Sequence, residues 1–208
     1  WFASVFMVVF ILIAHMWREA HLHRVVEDDV EINALPLSFD GSVILYVSDL
    51  HKRRLRQEDI KPLLGQVDWV LIGGDVAEKG ISWSIVRRNM QLLTNIGPAY
   101  AVYGNHDKHA GTAQLARIFE ETGVRLLQDQ VVPLQKRDSS IKLAGADYRS
   151  RELSNHLTEK DRNDCVIVLV HDPLQAKSVH DYADLILSGH THGGQLVIPF
   201  LGPIFLNQ

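Results

Sequence analysis

The sequence predicts an α/β fold with a mixed β-sheet. Short runs of β-branched and aliphatic residues, typical of buried strands, alternate with segments whose apolar residues recur at helical spacing. Such alternation is typical of parallel strands connected by helices. Two further runs, residues 131–134 and 141–144, are close enough in the chain to form a hairpin, which adds antiparallel pairing.

Each predicted strand or helix follows from a local sequence pattern. The strands are apolar runs bounded by polar or turn-forming residues. In chain order they are residues 25–32 at a sheet edge, then 43–48, 67–72, 99–103, 131–134, 141–144, 166–170, 185–187 and 196–198. The helices are residues 57–64, residues 81–96, which Gly97 and Pro98 end, and residues 114–121, which end before Gly123.

Composition narrows the class of protein. With 208 residues, 46% of them hydrophobic, the chain can bury one core and is too apolar to be disordered. Its 21 basic and 25 acidic residues give a net charge of −4, which argues against a protein that coats nucleic acid. The one cysteine, Cys165, excludes an intramolecular disulfide, and its apolar neighbours predict a buried structural thiol. The 11 histidines point instead to metal ligands.

The first 17 residues form an apolar run that His15 alone interrupts. As a helix this run spans about 25 Å, slightly less than the hydrocarbon core of a bilayer. We expect residues 1–17 to be a clipped transmembrane anchor, while a signal-peptide core or a buried helix fits the same pattern. Residues 18–31 then form a polar juxtamembrane linker and residues 32–208 the globular domain. Arg18 and Arg24 favour the cytoplasmic side of the membrane for that domain.

Residues that commonly bind metals follow five of the predicted strands directly. Because the carboxyl ends of strands form the ligand crevice in open α/β sheets, these side chains should meet in one place. Asp49 and His51 are two residues apart, as are His190 and His192, so in an extended chain each pair points to one side. Mixed carboxylate, amide and imidazole ligands suit Mn, Fe or Zn better than Mg. The candidate residues are Asp49, His51, Asp75, Asn105, His106, Asp107, His171, His190 and His192.

Each of these residues also has an ordinary structural interpretation. A single aspartate after a strand is usually a turn former or a helix N-cap, and a lone histidine there is usually a loop residue. These interpretations would have to hold independently at five strand ends, which makes the metal site the better prediction. The histidines without such a setting, expected on the surface or in the linker, are His15, His21, His23, His109, His156 and His180.

The order of these motifs resembles the calcineurin-like metallophosphoesterase superfamily. The resemblance rests on Asp49-x-His51, Gly73-Gly74-Asp75, Gly104-Asn105-His106-Asp107, His171 and Gly189-His190-Thr191-His192. Ser48, the residues after His192 and the apolar N-terminal run further resemble its bacterial membrane-associated branch, which includes relatives that cleave UDP-diacylglucosamine. The resemblance implies an α/β/β/α sandwich of four layers with mixed sheets, here without its C-terminal strands. Lys52 stands where a small or aliphatic residue is more usual, so we expect different substrate contacts there.

The resemblance also implies a role for each candidate residue. Asp75 would bridge two divalent metal ions, and a water activated between them would hydrolyse a phosphoester. His106 would contact the phosphate or protonate the leaving oxygen, and Asp107 would orient His106. Manganese is the expected metal, with iron, zinc and magnesium as alternatives. The remaining ligands would be Asp49, His51 and His192 at one metal and Asn105, His171 and His190 at the other.

The expected substrate is a phosphodiester or pyrophosphate of a lipid or a cell-envelope precursor. The apolar N-terminal run, a basic stretch beside the first motif and an apolar tail after His192 favour this substrate. The alternatives are a phosphomonoesterase or nuclease of the same family, or a scaffold that binds metal without catalysis. Complete ligand positions argue against the scaffold, and the absence of an aromatic platform argues against nucleic acid. The basic stretch consists of Lys52, Arg53, Arg54 and Arg56.

Overall fold

The computed structural model describes residues 2–21, 25–158, 164–191, 197–198 and 202–203. The α-helices are α1 (Phe2–His21), α2 (Gln57–Ile60), α3 (Trp83–Thr94), α4 (Asn105–Ala110) and α5 (Thr112–Thr122). The strands are β1 (Ile44–Val47), β2 (Trp69–Ile72), β3 (Ala99–Ala101), β4 (Arg125–Leu126), β5 (Gln130–Lys136), β6 (Ser139–Gly145), β7 (Val166–Val170), β8 (Leu185–Ser188), β9 (Val197–Ile198) and β10 (Gly202–Pro203). Short 3-10 helices lie at Leu37–Phe39, Lys61–Leu63, Leu153–His156, Pro173–Ser178 and His180–Tyr182.

The first sheet is parallel and has the order β1-β2-β3-β4. Leu45 pairs with Val70, and Leu71 pairs with Tyr100. All four residues of β2 are buried, as expected for a central strand covered on both faces. Two helices, α3 and α5, cover one face with apolar residues at helical spacing. These residues are Val86, Met90 and Leu93 on α3 and Leu115, Ile118 and Phe119 on α5.

The second sheet is mixed and has the order β5-β6-β7-β8. β5 and β6 form the predicted hairpin, with Gln130 opposite Gly145 and Lys136 opposite Ser139. β6, β7 and β8 pair in parallel. Arg137, in the hairpin turn, has a φ of 54°, in the left-handed region that L-residues rarely occupy. The prediction of a fold with both parallel and antiparallel pairing is confirmed.

The two sheets pack face to face around a shared core. Phe39 stacks on Trp69 with ring centroids 5.5 Å apart. Burial in this core raises the pKa of the Cys165 thiol to about 11, as expected for a structural cysteine. The other buried side chains of the core are Leu71, Val102, Leu127, Val132, Leu134, Ile141, Leu143, Ile167 and Leu169. The outer face of the second sheet packs against 3-10 segments through Leu153 and Val179, which completes the four predicted layers.

The chain divides into two compact units. One unit, Glu31–His190, contains both sheets, and the other combines Trp1–Val30 with Thr191–Gln208. In the latter, α1 extends to His21, so the segment predicted as a linker begins within a helix. The exposed large apolar side chains of α1 are Val5, Phe6, Met7, Val9, Phe10, Ile11 and Ile13. In the described part of the chain, no helix combines the length and the apolar character that a membrane crossing requires.

Most predicted strands and helices are present with shifted ends, but residues 25–32 form no strand. The four carboxylates in this stretch favour water and repel one another, which outweighs the preference of its valines for a strand. Two elements without a sequence signal, α4 and β4, are too short to show periodicity. Leu196, in the last predicted strand, lies outside the described residues, and the following loop contributes β10, which pairs with β9.

Replacing Leu71 with alanine should strongly destabilise the fold. Leu71 is fully buried between the sheets, so its removal loses apolar burial and leaves a cavity, at a cost of about 2–5 kcal/mol. In the control Leu37→Ala, where the side chain is 93% exposed, the free energy of unfolding should change by less than about 0.5 kcal/mol. Urea denaturation measures both values, and equal losses would contradict the core between the sheets.

Candidate metal centre

The predicted metal ligands lie at the carboxyl ends of strands from both sheets. In the first sheet, β1, β2 and β3 lead into the segments that carry Asp49, Asp75 and Asn105. In the second sheet, β7 and β8 lead into His171 and His190. The predicted ligand His192 lies outside the described residues.

Hydrogen bonds that involve the backbone join the ligand segments of the two sheets. The His171 Nδ1 atom is 2.8 Å from the carbonyl oxygen of Gly73, and the backbone N–H of His190 donates to Asp49 Oδ2 at 3.1 Å. The approach at Asp49 is so close that a Cβ atom on Gly189 would lie 2.6 Å from Asp49 Oδ2. A larger residue would displace the Ser48 and Asp49 side chains, so glycine is favoured where the two sheet ends meet.

Four of the predicted ligands have a left-handed backbone conformation. Their φ angles are 56° at Asp49, 48° at His51, 53° at Asp75 and 69° at His190. The extended geometry assumed for Asp49 and His51 is therefore wrong, because tight turns rather than a strand direct these side chains. Such conformations cost on the order of 1–3 kcal/mol each and persist where the surrounding structure holds them, typically at functional sites.

Asp49, His51 and Asp75 form a first cluster. The Nε2 atom of His51 lies 3.9 Å from both Asp49 Oδ1 and Asp75 Oδ2. Its other ring nitrogen, Nδ1, lies 3.0 Å from Glu78 Oε2. A carboxylate this close to Nδ1 favours a proton on that nitrogen, and in that tautomer the Nε2 lone pair faces the two aspartates.

Asp75, Asn105, His171 and His190 form a second cluster. The Oδ1 atom of Asn105 is 3.0 Å from both His171 Nε2 and His190 Nδ1. These two nitrogens are 3.2 Å apart, and His171 Nε2 is 3.4 Å from Asp75 Oδ2. Asp75 therefore belongs to both clusters, and the described ligands of each predicted metal site lie together.

The chemistry of the second cluster fits a metal ion. A carbonyl oxygen can only accept, so His171 Nδ1 donates its proton to Gly73 and Nε2 of the neutral ring is left as an acceptor. This acceptor faces two others, Asn105 Oδ1 at 3.0 Å and Asp75 Oδ2 at 3.4 Å. Lone pairs of oxygen and imidazole nitrogen that converge in this way are stabilised by a cation, either a proton on Nε2 or a metal ion, and the mixture of ligand types suits a divalent transition metal.

The pKa shifts of Asp75 and His171 also indicate that this cluster favours a positive charge. Burial tends to raise the pKa of Asp75, but the hydrogen bond and charge of His171 outweigh it, with help from the backbone N–H of His106 at 2.8 Å. The pKa of Asp75 is therefore lowered. Burial tends to lower the pKa of His171, but the Asp75 carboxylate outweighs it and raises this pKa. Metal ions and protons would thus compete for His171 Nε2.

Asp107 is fully buried and organises the backbone beneath the ligands. Its Oδ2 atom accepts the N–H groups of Asp75 at 2.7 Å and Gly104 at 2.9 Å, and Oδ1 accepts that of Ala77 at 2.9 Å. The family resemblance implies that Asp107 orients His106, whereas the observed hydrogen bonds of Asp107 are to these backbone N–H groups. Burial raises the pKa of Asp107 to about 7, although the three N–H donors lower it.

His106 lies in the first turn of α4, beside the first cluster. Its ring is edge-on to that of His51, with centroids 4.7 Å apart. The potential ligand atoms of His51, Asp75 and His106 lie within 4.8 Å of one another. The His106 side chain is half-buried, whereas Asp107 is fully buried.

Two residues beside the clusters have no place in the sequence prediction. Glu78 binds Lys52 Nζ at 2.7 Å, and this hydrogen bond lowers the pKa of Glu78. In the sequence, the indication that Glu78 lies near the cluster is its position three residues after Asp75, in the same loop. Tyr148 lies edge-on to the His171 ring with centroids 5.8 Å apart, and its sequence neighbours gave no indication of this contact.

The chain is similar to known phosphoesterases. Residues 42–194 match the calcineurin-like phosphoesterase family. YpbG of Bacillus subtilis (strain 168) is 33% identical over 172 residues, which are 79% of this chain and 66% of that protein. Phosphodiesterase YaeI of Escherichia coli (strain K12) is 28% identical over 201 residues, 91% of this chain and 72% of that protein. This chain therefore spans about two thirds of the length of these relatives.

A solved structure has the same fold. The NAD nucleotidase of Haemophilus influenzae superposes with a TM-score of 0.52 at 15% identity, over 72% of this chain and 42% of that chain. The family match covers most of this chain and includes every predicted metal ligand. The chain belongs to the calcineurin-like phosphoesterase family, whose reaction is the metal-dependent hydrolysis of phosphoester bonds.

Proposed function

We propose that this protein hydrolyses a phosphodiester or a pyrophosphate of a lipid or a cell-envelope precursor. The hydrolytic part rests on one observation, the convergence of Asp75, Asn105, His171 and His190 on a common volume within 3.0–3.4 Å. Two divalent ions held by the two clusters, with manganese proposed as the metal, would clamp the phosphate and activate a water. The name of the relative YaeI, a phosphodiesterase, supports a diester over a monoester.

The residues of the chain position these groups and move one proton. The half-buried His106 imidazole, 4.7 Å from the His51 ring, donates a proton to the oxygen of the departing group. Its backbone N–H binds Asp75 Oδ1 at 2.8 Å, which fixes the start of α4 relative to the carboxylate shared by both clusters. Departure of an alkoxide or phosphate is easier when that oxygen is protonated.

The exposed apolar side chains of α1 support the lipid part of the proposal. Phe6 is 81% exposed and Phe10 is 67% exposed, and large apolar groups in such numbers are usually covered by a partner or a membrane. A bilayer surface would cover them and hold the domain close to lipid-linked substrates, which raises their effective concentration. We place this domain at the cytoplasmic face, on the basis of Arg18 and Arg24.

The basic stretch beside Asp49 contributes less positive charge than its sequence suggests. Lys52 is bound by Glu78 and Arg56 by Asp59, each at 2.7 Å. Neutralised side chains attract anionic headgroups weakly. The apolar tail after His192 lies outside the described residues, and its contribution to lipid binding stays a prediction.

Deleting residues 1–24 should reduce hydrolysis of lipid-linked substrates and leave soluble substrates unaffected, because the deletion removes the apolar segment and changes no residue of either cluster. The full chain and the deletion variant are compared in mixed micelles on UDP-diacylglucosamine, phospholipid diesters, soluble nucleotides and phosphomonoesters. A preference of the full chain for soluble substrates, with no loss on deletion, contradicts the lipid proposal.

Asp75→Asn should lower bound metal and activity more than any other change of a single ligand. The carboxylate is shared by both clusters, so replacing it weakens two sites at once. Metal analysis after reconstitution with Mn should approach two ions per unaltered chain. The control Asp138→Asn, at an exposed residue of the β5–β6 turn, should keep both the metal and the rate. A folded, unaltered protein that binds no Mn rules out the dinuclear site.

His106→Ala should keep the fold and most of the metal but lower kcat by about 10²- to 10⁴-fold, as expected when a proton donor is lost. The effect should be largest for substrates with poor leaving groups. His109→Ala is the matched control, since His109 lies on the same helix and is exposed. An unchanged kcat for a poor leaving group in His106→Ala would refute the role in proton transfer.

A further inference from the structure

A strained turn lies beside the second cluster, between β6 and the 3-10 helix Leu153–His156. The N–H of Ser150 donates to the carbonyl oxygen of Asp147 at 3.0 Å, which closes the turn. Arg149, the third residue of the turn, has a φ of 62°. Glycine or asparagine normally occupies a turn position with positive φ, so an arginine here requires a reason.

The turn is held from two directions. The Gln175 Nε2 atom donates to the carbonyl oxygens of Asp147 at 2.8 Å and Ser150 at 3.0 Å. Lys108 Nζ binds Asp147 Oδ2 at 2.7 Å. Gln175 lies four residues after His171 in the chain, and Lys108 lies in the same helix as the candidate proton donor. The turn is therefore tied to the segments that carry the metal ligands.

The turn places an aromatic ring next to the cluster, and a guanidinium lies against that ring. The Tyr148 ring is edge-on to His171 with centroids 5.8 Å apart. Arg149 Nε donates to the Tyr148 hydroxyl at 2.9 Å, and its guanidinium carbon lies 5.1 Å from the centroid of the Tyr148 ring. The guanidinium is thus oriented by the residue that contacts a metal ligand.

Arg149 retains the capacity to bind an anion. Its side chain is exposed, and it forms no ion pair with any residue that the structure describes. A guanidinium whose Nε is occupied still presents its two terminal nitrogens, which bind phosphate oxygens in a bidentate manner.

Arg137 shows that positive φ by itself does not indicate function. It is also an exposed arginine in a turn, with a φ of 54°, but it lies in the β5–β6 hairpin, away from the strand ends that carry the ligands. What distinguishes Arg149 is the turn held by Gln175 and Lys108 and its contact with Tyr148. The same pair of arginines provides a matched experiment.

We propose that Tyr148 and Arg149 form a subsite for the second phosphoryl group of a pyrophosphate substrate, next to the scissile phosphate at the clusters. This inference rests on the proposed function and selects the pyrophosphate between the two substrate classes named there. Arg149 binds the non-scissile phosphoryl group, and the Tyr148 hydroxyl holds the guanidinium in place. The left-handed conformation at Arg149 accompanies the contact of its guanidinium with the Tyr148 ring, as expected where surrounding structure holds a strained residue at a functional site.

The test compares Arg149→Gly with Arg137→Gly in the full, Mn-loaded protein. Both changes remove one exposed positive charge and one left-handed side chain, so neither should lower the melting temperature. Two substrates are used: ADP-ribose, which has two phosphoryl groups, and the p-nitrophenyl ester of thymidine 5′-monophosphate, which has one. Equilibrium binding of ADP-ribose is measured by calorimetry as a readout independent of turnover.

Arg149→Gly should lower kcat/KM for ADP-ribose and weaken its binding by about 10- to 100-fold, as expected for a lost charge-assisted contact. The single-phosphoryl ester should change by less than about threefold, since the metal clusters still hold its phosphate. Arg149→Lys should recover only part of the loss, because an ammonium is not bidentate. Arg137→Gly should change neither substrate.

Equal losses of Arg149→Gly on both substrates would overturn the subsite, since Arg149 would then contact the scissile phosphate. Losses that Arg137→Gly reproduces would also overturn it, as would an unaltered protein that cleaves the single-phosphoryl ester but neither binds nor cleaves ADP-ribose. Failure of the proposed function has a different result: the unaltered, Mn-loaded protein cleaves no substrate of either class.

Discussion

The arrangement of the ligand loops depends on one buried carboxylate. Asp107 accepts the backbone N–H groups of Asp75, Ala77 and Gly104 at 2.7–2.9 Å. A buried N–H without an acceptor costs about 1–3 kcal/mol, so these three bonds strongly favour the conformation in which the loop after β2 lies against the start of α4. Gly104 permits this contact, because a Cβ there would overlap the Asp75 carboxylate. Asp75, which belongs to both clusters, is thus positioned by backbone hydrogen bonds.

The folded conformation of the ligand loops is energetically unfavourable by itself, and a bound ion would offset that cost in free energy. Left-handed φ angles at four ligands and the proximity of Asp49 to Asp75 both raise the free energy of the folded site. A divalent cation that binds the folded loops but not the unfolded chain stabilises the native state by mass action. Asp75 also raises the pKa of His171, so a proton on Nε2 and a metal ion compete for the same lone pair. Metal binding, protonation and local stability are therefore linked in this site.

The order of the motifs was sufficient to predict which residues meet, because each strand delivers the residue that follows it to the same sheet edge. It was not sufficient to predict how they meet. The convergence of Asp49 and His51 depends on positive φ angles, and the partners of Asp107 are backbone N–H groups in another loop. Neither the positive φ angles nor the backbone hydrogen bonds of Asp107 produce a periodic pattern in the sequence. At residues 25–32 the valines suggested a strand, but solvation of the neighbouring carboxylates had the larger effect.

Because the ligands come from two sheets, the core between the sheets controls the geometry of the site. Asp49, Asp75 and Asn105 follow strands of the first sheet, while His171 and His190 follow strands of the second. A change in packing between the sheets would shift one set of ligands relative to the other, and metal coordination tolerates only a few tenths of an ångström. The hydrogen bonds from His171 to the first sheet and from His190 to Asp49 oppose such a shift. Close packing of the apolar side chains between the sheets is therefore required to keep the two sets of ligands in the geometry that the reaction needs.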